Sequence, residues 1–171
     1  MNKKLTAFIA MLVCIQLDSV VFARLNLFDI RPDAMLAAAV SFGILQGSMF
    51  GAVYGAIGGL IMDLFFGTSL GLYSALYLTA GLAAGFFYKK FYADNLIVPA
   101  AAAAVAGFVK DLILAFIKAA GGAKFPFAGI LLRYILPCAI LTGVLCALMH
   151  IVLKPQLARQ VKRRQFDRLS H

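Results

Sequence analysis

Residues 36–66, LAAAVSFGILQGSMFGAVYGAIGGLIMDLFF, decide the fold of this chain. Glycine recurs there at every fourth position, as Gly43, Gly47, Gly51, Gly55 and Gly59. In water such a helix would be poor, because each interior glycine costs about 1 kcal/mol relative to alanine. In a bilayer the backbone has little alternative to helix, and small residues four apart let two helices approach closely. The stretch therefore predicts a membrane protein in which one helix offers a smooth strip to another helix.

The composition supports a membrane protein. The chain has 171 residues, of which 63% are hydrophobic and 13% are charged, whereas soluble domains are about 45–50% apolar. The net charge is +9, but the bases lie at segment ends and in the C-terminal region, which indicates membrane orientation rather than nucleic acid binding. The cysteines lie within apolar runs and lack metal-ligand spacing, so we interpret them as small hydrophobic residues.

Six apolar segments are candidates for membrane-spanning helices, at residues 5–22, 34–45, 49–66, 70–88, 96–117 and 127–153. A competing interpretation joins the second and third segments into one helix and gives five spans. With six spans and a cytoplasmic N-terminus, most bases outside the helices are cytoplasmic, whereas five spans would export the basic C-terminal region. The sequence therefore predicts an all-α fold with six transmembrane helices in residues 1–153, a basic tail in residues 154–171, and both termini in the cytoplasm.

Five ionisable residues fall within the predicted helices: Asp18, Asp63, Lys110, Asp111 and Arg133. The topology places each of them nearer the outer end of its helix, so they form a predicted charge layer. We expect Asp63 to pair with Lys110 or Arg133, and Asp111 with Arg133. Intramembrane charge is costly and often functional. Two interpretations stay open: an ion network that fixes helix register, or a polar pocket or partner-docking surface open to the outside.

The predicted tail is rich in basic residues. Its six bases are Lys154, Arg159, Lys162, Arg163, Arg164 and Arg168. Each base near an anionic leaflet contributes on the order of 1 kcal/mol, so we expect the tail to anchor at the membrane surface or to contact a cytoplasmic protein.

No pattern in the sequence indicates catalysis. The only histidines are His150 and His171, and no HExxH helix, nucleophile–histidine–acid arrangement or phosphate-binding glycine loop is present. The glycine run sits within an apolar helix and does not follow a strand, so it is not a nucleotide motif. We predict no enzyme activity, no metal and no cofactor.

Residues 31–88 carry a family resemblance. The features are Arg31-Pro32-Asp33 before the second segment, and GLIMDLFFGTSLGLYSALYLTAGLAAGFF from Gly59 onwards. With the chain length, the span count and the basic C-terminus, this stretch resembles the MreD family of rod-shape-determining membrane proteins. The resemblance implies a multi-pass protein of the bacterial inner membrane, without known catalytic activity. It also implies a place in the cell-elongation machinery that builds sidewall peptidoglycan.

The resemblance further implies partners: the single-pass protein MreC, the actin-like MreB, a SEDS-type glycosyltransferase and an elongation transpeptidase. We therefore expect a scaffold or regulator that acts by helix packing. A packing strip of Gly47, Gly51, Gly55 and Gly59 would accept a helix of this chain or of a partner such as MreC. The MreD fold also resembles the S component of energy-coupling-factor transporters, which gives the alternative: a protein that binds a vitamin from outside.

Overall fold

The structure is a computed structural model that describes residues 3–21, 32–66, 71–87, 96–121, 129 and 131–169, with the backbone alone for residues 3, 4, 20, 21, 132 and 154–169. Six α-helices lie within these residues: α1 (Lys3–Gln16), α2 (Ala34–Gln46), α3 (Ser48–Phe66), α4 (Leu72–Gly85), α5 (Ile97–Ala120) and α6 (Leu136–Leu169). Short π-helical turns, Leu17–Val21 and Leu131–Ile135, follow α1 and precede α6. The prediction of an all-α fold with six helices is confirmed over this part of the chain.

A single glycine separates α2 from α3. Gly47 has a φ of 101°, a left-handed conformation that residues with a β-carbon rarely adopt. Its N–H donates to the carbonyl of Gly43 and closes the end of α2. The second and third segments are therefore two helices rather than one long helix.

Three stretches are long and apolar enough to cross a membrane: Ser48–Phe65, Ile97–Ala120 and Arg133–Leu153. Three shorter apolar helices accompany them, Leu5–Ser19, Ala34–Gln46 and Leu72–Gly85. The crossing of the membrane by all six helices, and the cytoplasmic position of both termini, stay predictions.

The core of the bundle is the short helix α2, which contacts each of the other five helices. Its residues from Ala34 to Gly43 are all buried, and many are alanines, which let neighbouring helices approach on every side. At 1.5 Å per residue α2 is about 20 Å long, short of the bilayer core of about 30 Å. Because protein surrounds α2, its length does not need to match the bilayer.

The glycine strip of α3 packs against α4 of the same chain. A β-carbon added to Gly51 would lie 2.7 Å from the carbonyl oxygen of Gly81, and one added to Gly59 would lie 2.5 Å from the Cα of Ser74. A β-carbon on Gly55 would overlap the carbonyl of Tyr77. The sequence left the occupant of this strip open, and the structure places α4 there, which leaves no room for a partner helix at these three glycines.

The last helix, α6, continues without interruption from Leu136 to Leu169. The backbone of the predicted basic tail is therefore helical as far as Leu169. The side chains of its six bases lie outside the described residues, so the role of the tail stays a prediction.

Candidate functional site

A buried ion cluster centres on Lys110 in α5. The Lys110 Nζ lies 2.8 Å from Oδ2 of Asp33 and 3.2 Å from Oδ1 of Asp111. The Tyr77 hydroxyl of α4 donates a hydrogen bond to the same Oδ2 of Asp33. Lys110 and Asp111 are each 7% exposed and Asp33 is 6% exposed. Buried charges are stable only when they are paired and hydrogen-bonded, and this cluster satisfies that condition.

Asp33 also holds the start of α2. Its Oδ1 accepts the N–H of Leu36 at 2.8 Å, which is the bond of an N-cap residue. Its own N–H donates to Oγ1 of Thr142 in α6 at 3.1 Å. One residue thereby joins the start of α2 to α4, α5 and α6.

A second carboxylate reaches the same helix start from α1. Asp18, in the π-helical turn after α1, accepts the N–H of Ala34 at 2.8 Å and the N–H of Met35 at 3.0 Å. The first N–H groups of a helix have no partner within the helix, and the helix dipole favours negative charge there. Asp18 therefore fixes the end of α1 to the start of α2.

Asp63 holds the start of α4 in the same way, by accepting hydrogen bonds from backbone N–H groups. It lies near the end of α3 and is 2% exposed. Its carboxylate accepts the N–H groups of Gly71, Tyr73 and Ser74, each at 3.0 Å. Gly71 has a φ of 97°, so the turn into α4 uses a left-handed conformation that glycine allows. The carboxylate that ends the glycine strip is thus the cap of the helix that fills it.

The predicted charge layer needs correction on two points. Asp63 does not pair with Lys110 or Arg133, because its carboxylate binds the backbone N–H groups of α4. Arg133 is exposed and lies in the π-helical turn before α6, and it forms no ion pair with the described carboxylates. The expected Asp111–Arg133 pair is therefore replaced by Asp111 with its neighbour Lys110.

The principal partner of Lys110, Asp33, was missed as a site residue because it precedes the predicted span. One signal could have found it. An aspartate directly before an apolar helical run, here Asp33 before Ala34, is a typical N-cap. When a helix begins within the membrane, the carboxylate that caps it lies at the same membrane depth as the first helical turn.

An elongated groove lies between α4 and α5, which contact each other only sparsely. It has a volume of about 620 Å³. Phe87, Ile97, Lys110 and Ile113 are among the residues that line it. Alanines form much of both walls: Ala80, Ala83, Ala84, Ala101, Ala102 and Ala106. The groove therefore leads along an apolar path to the buried lysine.

The described residues bring no group of three His, Cys, Asp or Glu side chains together in a way that could hold a metal ion. The four described carboxylates that belong to the cluster or its surroundings, Asp18, Asp33, Asp63 and Asp111, are all engaged by helix N–H groups or by Lys110. The polar side chains of this site therefore hold helices together.

Fold and site define a class: an all-helical membrane protein whose intramembrane charges serve as helix caps and as one buried ion cluster. The comparison with protein families specifies it further. The family model described as rod shape-determining protein MreD matches residues 1–158, and the chain belongs to the MreD family. MreD proteins are inner-membrane proteins of the machinery that determines rod shape, and they are not a known enzyme family. Searches of curated proteins and of solved structures gave no match.

Proposed function

We propose that this protein is a non-enzymatic scaffold of the rod-shape machinery, which holds an MreC-like single-pass protein beside the enzymes of sidewall peptidoglycan synthesis. The observation that carries this proposal is the use of the intramembrane carboxylates. Asp18, Asp33 and Asp63 each hold the first turn of a helix. Polar groups committed to backbone contacts stiffen a bundle, and a rigid surface is what a scaffold presents to its partners.

The proposal includes the membrane arrangement. All six helices cross the inner membrane, with both termini in the cytoplasm, because this arrangement leaves most bases on the inner side. The long helix α6 then carries the basic residues 154–169 into the cytoplasm, where they contact anionic lipid headgroups or a cytoplasmic partner such as MreB. The other proposed partners are the SEDS-type glycosyltransferase and the elongation transpeptidase.

The test is the association of the partners with and without this protein. We expect the MreC-like protein to co-purify with the chain from detergent-solubilised membranes. In cells depleted of the chain, the MreC-like protein should lose its association with the elongation transpeptidase, and the cells should become round. If that association persists in depleted cells while rod shape is lost, the protein acts in some way other than as a scaffold.

The alternative, a vitamin-binding S component, makes a different prediction for the same preparation. A vitamin that stays bound through purification, together with co-purification of a transmembrane coupling protein in place of the MreC-like protein, would contradict the scaffold proposal. The contacts of the described carboxylates favour the scaffold, since Asp18 and Asp63 hold helix starts and Asp111 pairs with Lys110.

A further inference from the structure

We infer that the cytoplasmic extension of α6, residues 154–169, docks through its distal bases on an acidic surface of a cytoplasmic protein. It does not lie along the anionic lipid surface. This inference rests on the proposed scaffold function and membrane arrangement, and it commits to one of the two contacts proposed for the basic tail.

The extension continues beyond the apolar span as one helix. The span in α6 ends at Leu153, whereas the helix itself runs to Leu169. Pro155 lies in the first turn beyond the span and does not end the helix. At 1.5 Å per residue, the part beyond Leu153 is about 24 Å long. Because no loop lies between Leu153 and Leu169, the tail has no hinge at which it could fold back onto the membrane.

The distal bases lie far from the lipid charge. Arg164 and Arg168 are about 17 and 22 Å past Leu153 along the helix axis. The headgroup layer extends only about 5–8 Å outside the hydrocarbon core, and an average helix tilt of about 20° shortens the axial distances by less than about a tenth. The Debye length at physiological salt is about 8 Å. Both arginines therefore lie about one Debye length or more from the headgroups, where attraction to lipid is largely screened.

The extension also lacks the apolar face that a helix needs to lie in a lipid surface. Such helices carry a basic face and, opposite to it, an apolar face free of charge. Residues three or four apart share a face of a helix, and this spacing places Arg164 on the same face as Val161 and Arg163 on the same face as Phe166. Bases therefore interrupt the apolar positions on both sides of the helix.

The charge of the distal part specifies the chemistry of the partner. Residues 159–168 contain one acid, Asp167, and five bases, Arg159, Lys162, Arg163, Arg164 and Arg168. Several of these bases are three or four residues apart, a spacing at which like charges repel along a helix. Opposing carboxylates relieve this repulsion, and a guanidinium group matches a carboxylate in a bidentate pair. An acidic protein surface supplies such carboxylates, and a scaffold acts by gathering proteins.

The experiment is photo-crosslinking in intact cells, with a photo-reactive residue in place of Gln165 or of Gln156 in the full chain. Gln165 lies among the distal bases, and Gln156 is the matched control close to the end of the span. We expect position 165 to yield an adduct with a cytoplasmic protein, which mass spectrometry identifies. Position 156 should yield no protein adduct.

Charge variants decide whether the adduct depends on the bases. Arg163→Glu with Arg164→Glu should reduce the protein adduct about tenfold, because attraction at the contact becomes repulsion. Arg163→Lys with Arg164→Lys keeps the charge and should retain most of the adduct. Both positions lie outside the span, so the membrane level and the thermal unfolding midpoint of each variant should match the wild type. Lysine substitutions in the acidic surface of the identified protein should restore the adduct with the glutamate variant.

This inference and the scaffold proposal fail separately. A lipid or nucleic acid adduct at position 165, no adduct there, or a protein adduct that the glutamate variant retains would overturn the inference. None of these results bears on the association of the MreC-like protein with the elongation transpeptidase. If that association persists in depleted cells, the scaffold proposal fails whatever the tail contacts.

Lipid contact has its own test on the purified full chain. Trypsin cleavage after the distal bases is timed in nanodiscs of neutral phosphatidylcholine and in nanodiscs that also contain anionic phosphatidylglycerol. We expect equal rates, because the distal part of the tail is surrounded by water in both preparations. Slower cleavage with phosphatidylglycerol would show that the tail lies on the lipid surface, against the inference.

Discussion

At the scale of single residues, the intramembrane carboxylates of this protein act on helix ends. A helix that begins within the membrane exposes N–H groups that water cannot reach, and each such group is costly to leave unpaired. One carboxylate can accept several of these hydrogen bonds, as Asp63 does for Gly71, Tyr73 and Ser74. The charge is thereby stabilised without a basic side chain.

Replacement of Asp63 tests this interpretation. Asp63→Ala leaves three buried N–H groups without their acceptor, so we expect a loss of about 2 kcal/mol or more in the free energy of unfolding. Asp63→Asn keeps one acceptor oxygen and should lose less. Thermal unfolding in detergent micelles measures both variants, and an unchanged midpoint for Asp63→Ala would refute the capping role.

The pair of Lys110 and Asp33 allows a double-mutant cycle. Lys110→Met leaves the buried carboxylate of Asp33 without its charge partner, a change that typically costs about 3–5 kcal/mol. Asp33→Asn retains an oxygen for the N–H of Leu36. We therefore expect the double variant Lys110→Met, Asp33→Asn to be less destabilised than the sum of the single variants. Additive losses would show that the two side chains do not interact.

Single residues also show which contacts could not be predicted from the sequence. Hydropathy is sufficient to find Asp18, Asp63, Lys110 and Asp111 as intramembrane charges. Hydropathy cannot reveal that Asp18 and Asp63 bind backbone N–H groups. Such groups occur along the whole chain, so the positions that bind a carboxylate leave no pattern in the sequence. The predicted pairing of Asp63 with Lys110 or Arg133 is wrong for this reason.

At the scale of helices, the sequence predicts more. Six apolar segments and their order follow from hydropathy, and the break between the second and third segments follows from the distribution of the bases. The helix that occupies the glycine strip could not be predicted, since glycines specify a close approach and not the identity of the neighbour. The groove was missed as well, because it arises from two alanine-rich walls on different helices.

Glycine substitutions test the α3–α4 packing. A β-carbon on Gly55 would overlap the backbone carbonyl of Tyr77, so Gly55→Ala must separate the helices, and we expect it to lower the free energy of unfolding by about 1–3 kcal/mol. Gly107→Ala is the matched control, because its nearest neighbours would be 3.7 Å away. It should be neutral or stabilising. Equal effects of the two substitutions would contradict the observed contact.

At the scale of the whole molecule, the described helices form a bundle around a buried core helix. The short core helix α2 is held at its start by Asp18 and Asp33, and α3 and α4 are joined by close glycine contacts. The junction of α4 with α5 is more loosely packed than that of α3 with α4. A fixed frame of this kind is what the proposed scaffold role requires.

Cell shape provides a measurement at this scale. We expect cells whose only copy of the protein carries Gly55→Ala to become wider and rounder than wild type, since the α3–α4 contact that makes the bundle rigid is lost. Cells that carry Gly107→Ala should stay rod-shaped. Both variants are compared at equal protein levels in the membrane, and rod-shaped growth with Gly55→Ala would show that this contact is dispensable for cell shape.

The most direct test of the central claim is co-purification of the MreC-like partner with the elongation transpeptidase, from cells that contain this protein and from cells depleted of it. A scaffold role predicts that the two partners are recovered together only when the protein is present. Equal recovery of the two partners from depleted cells would contradict it.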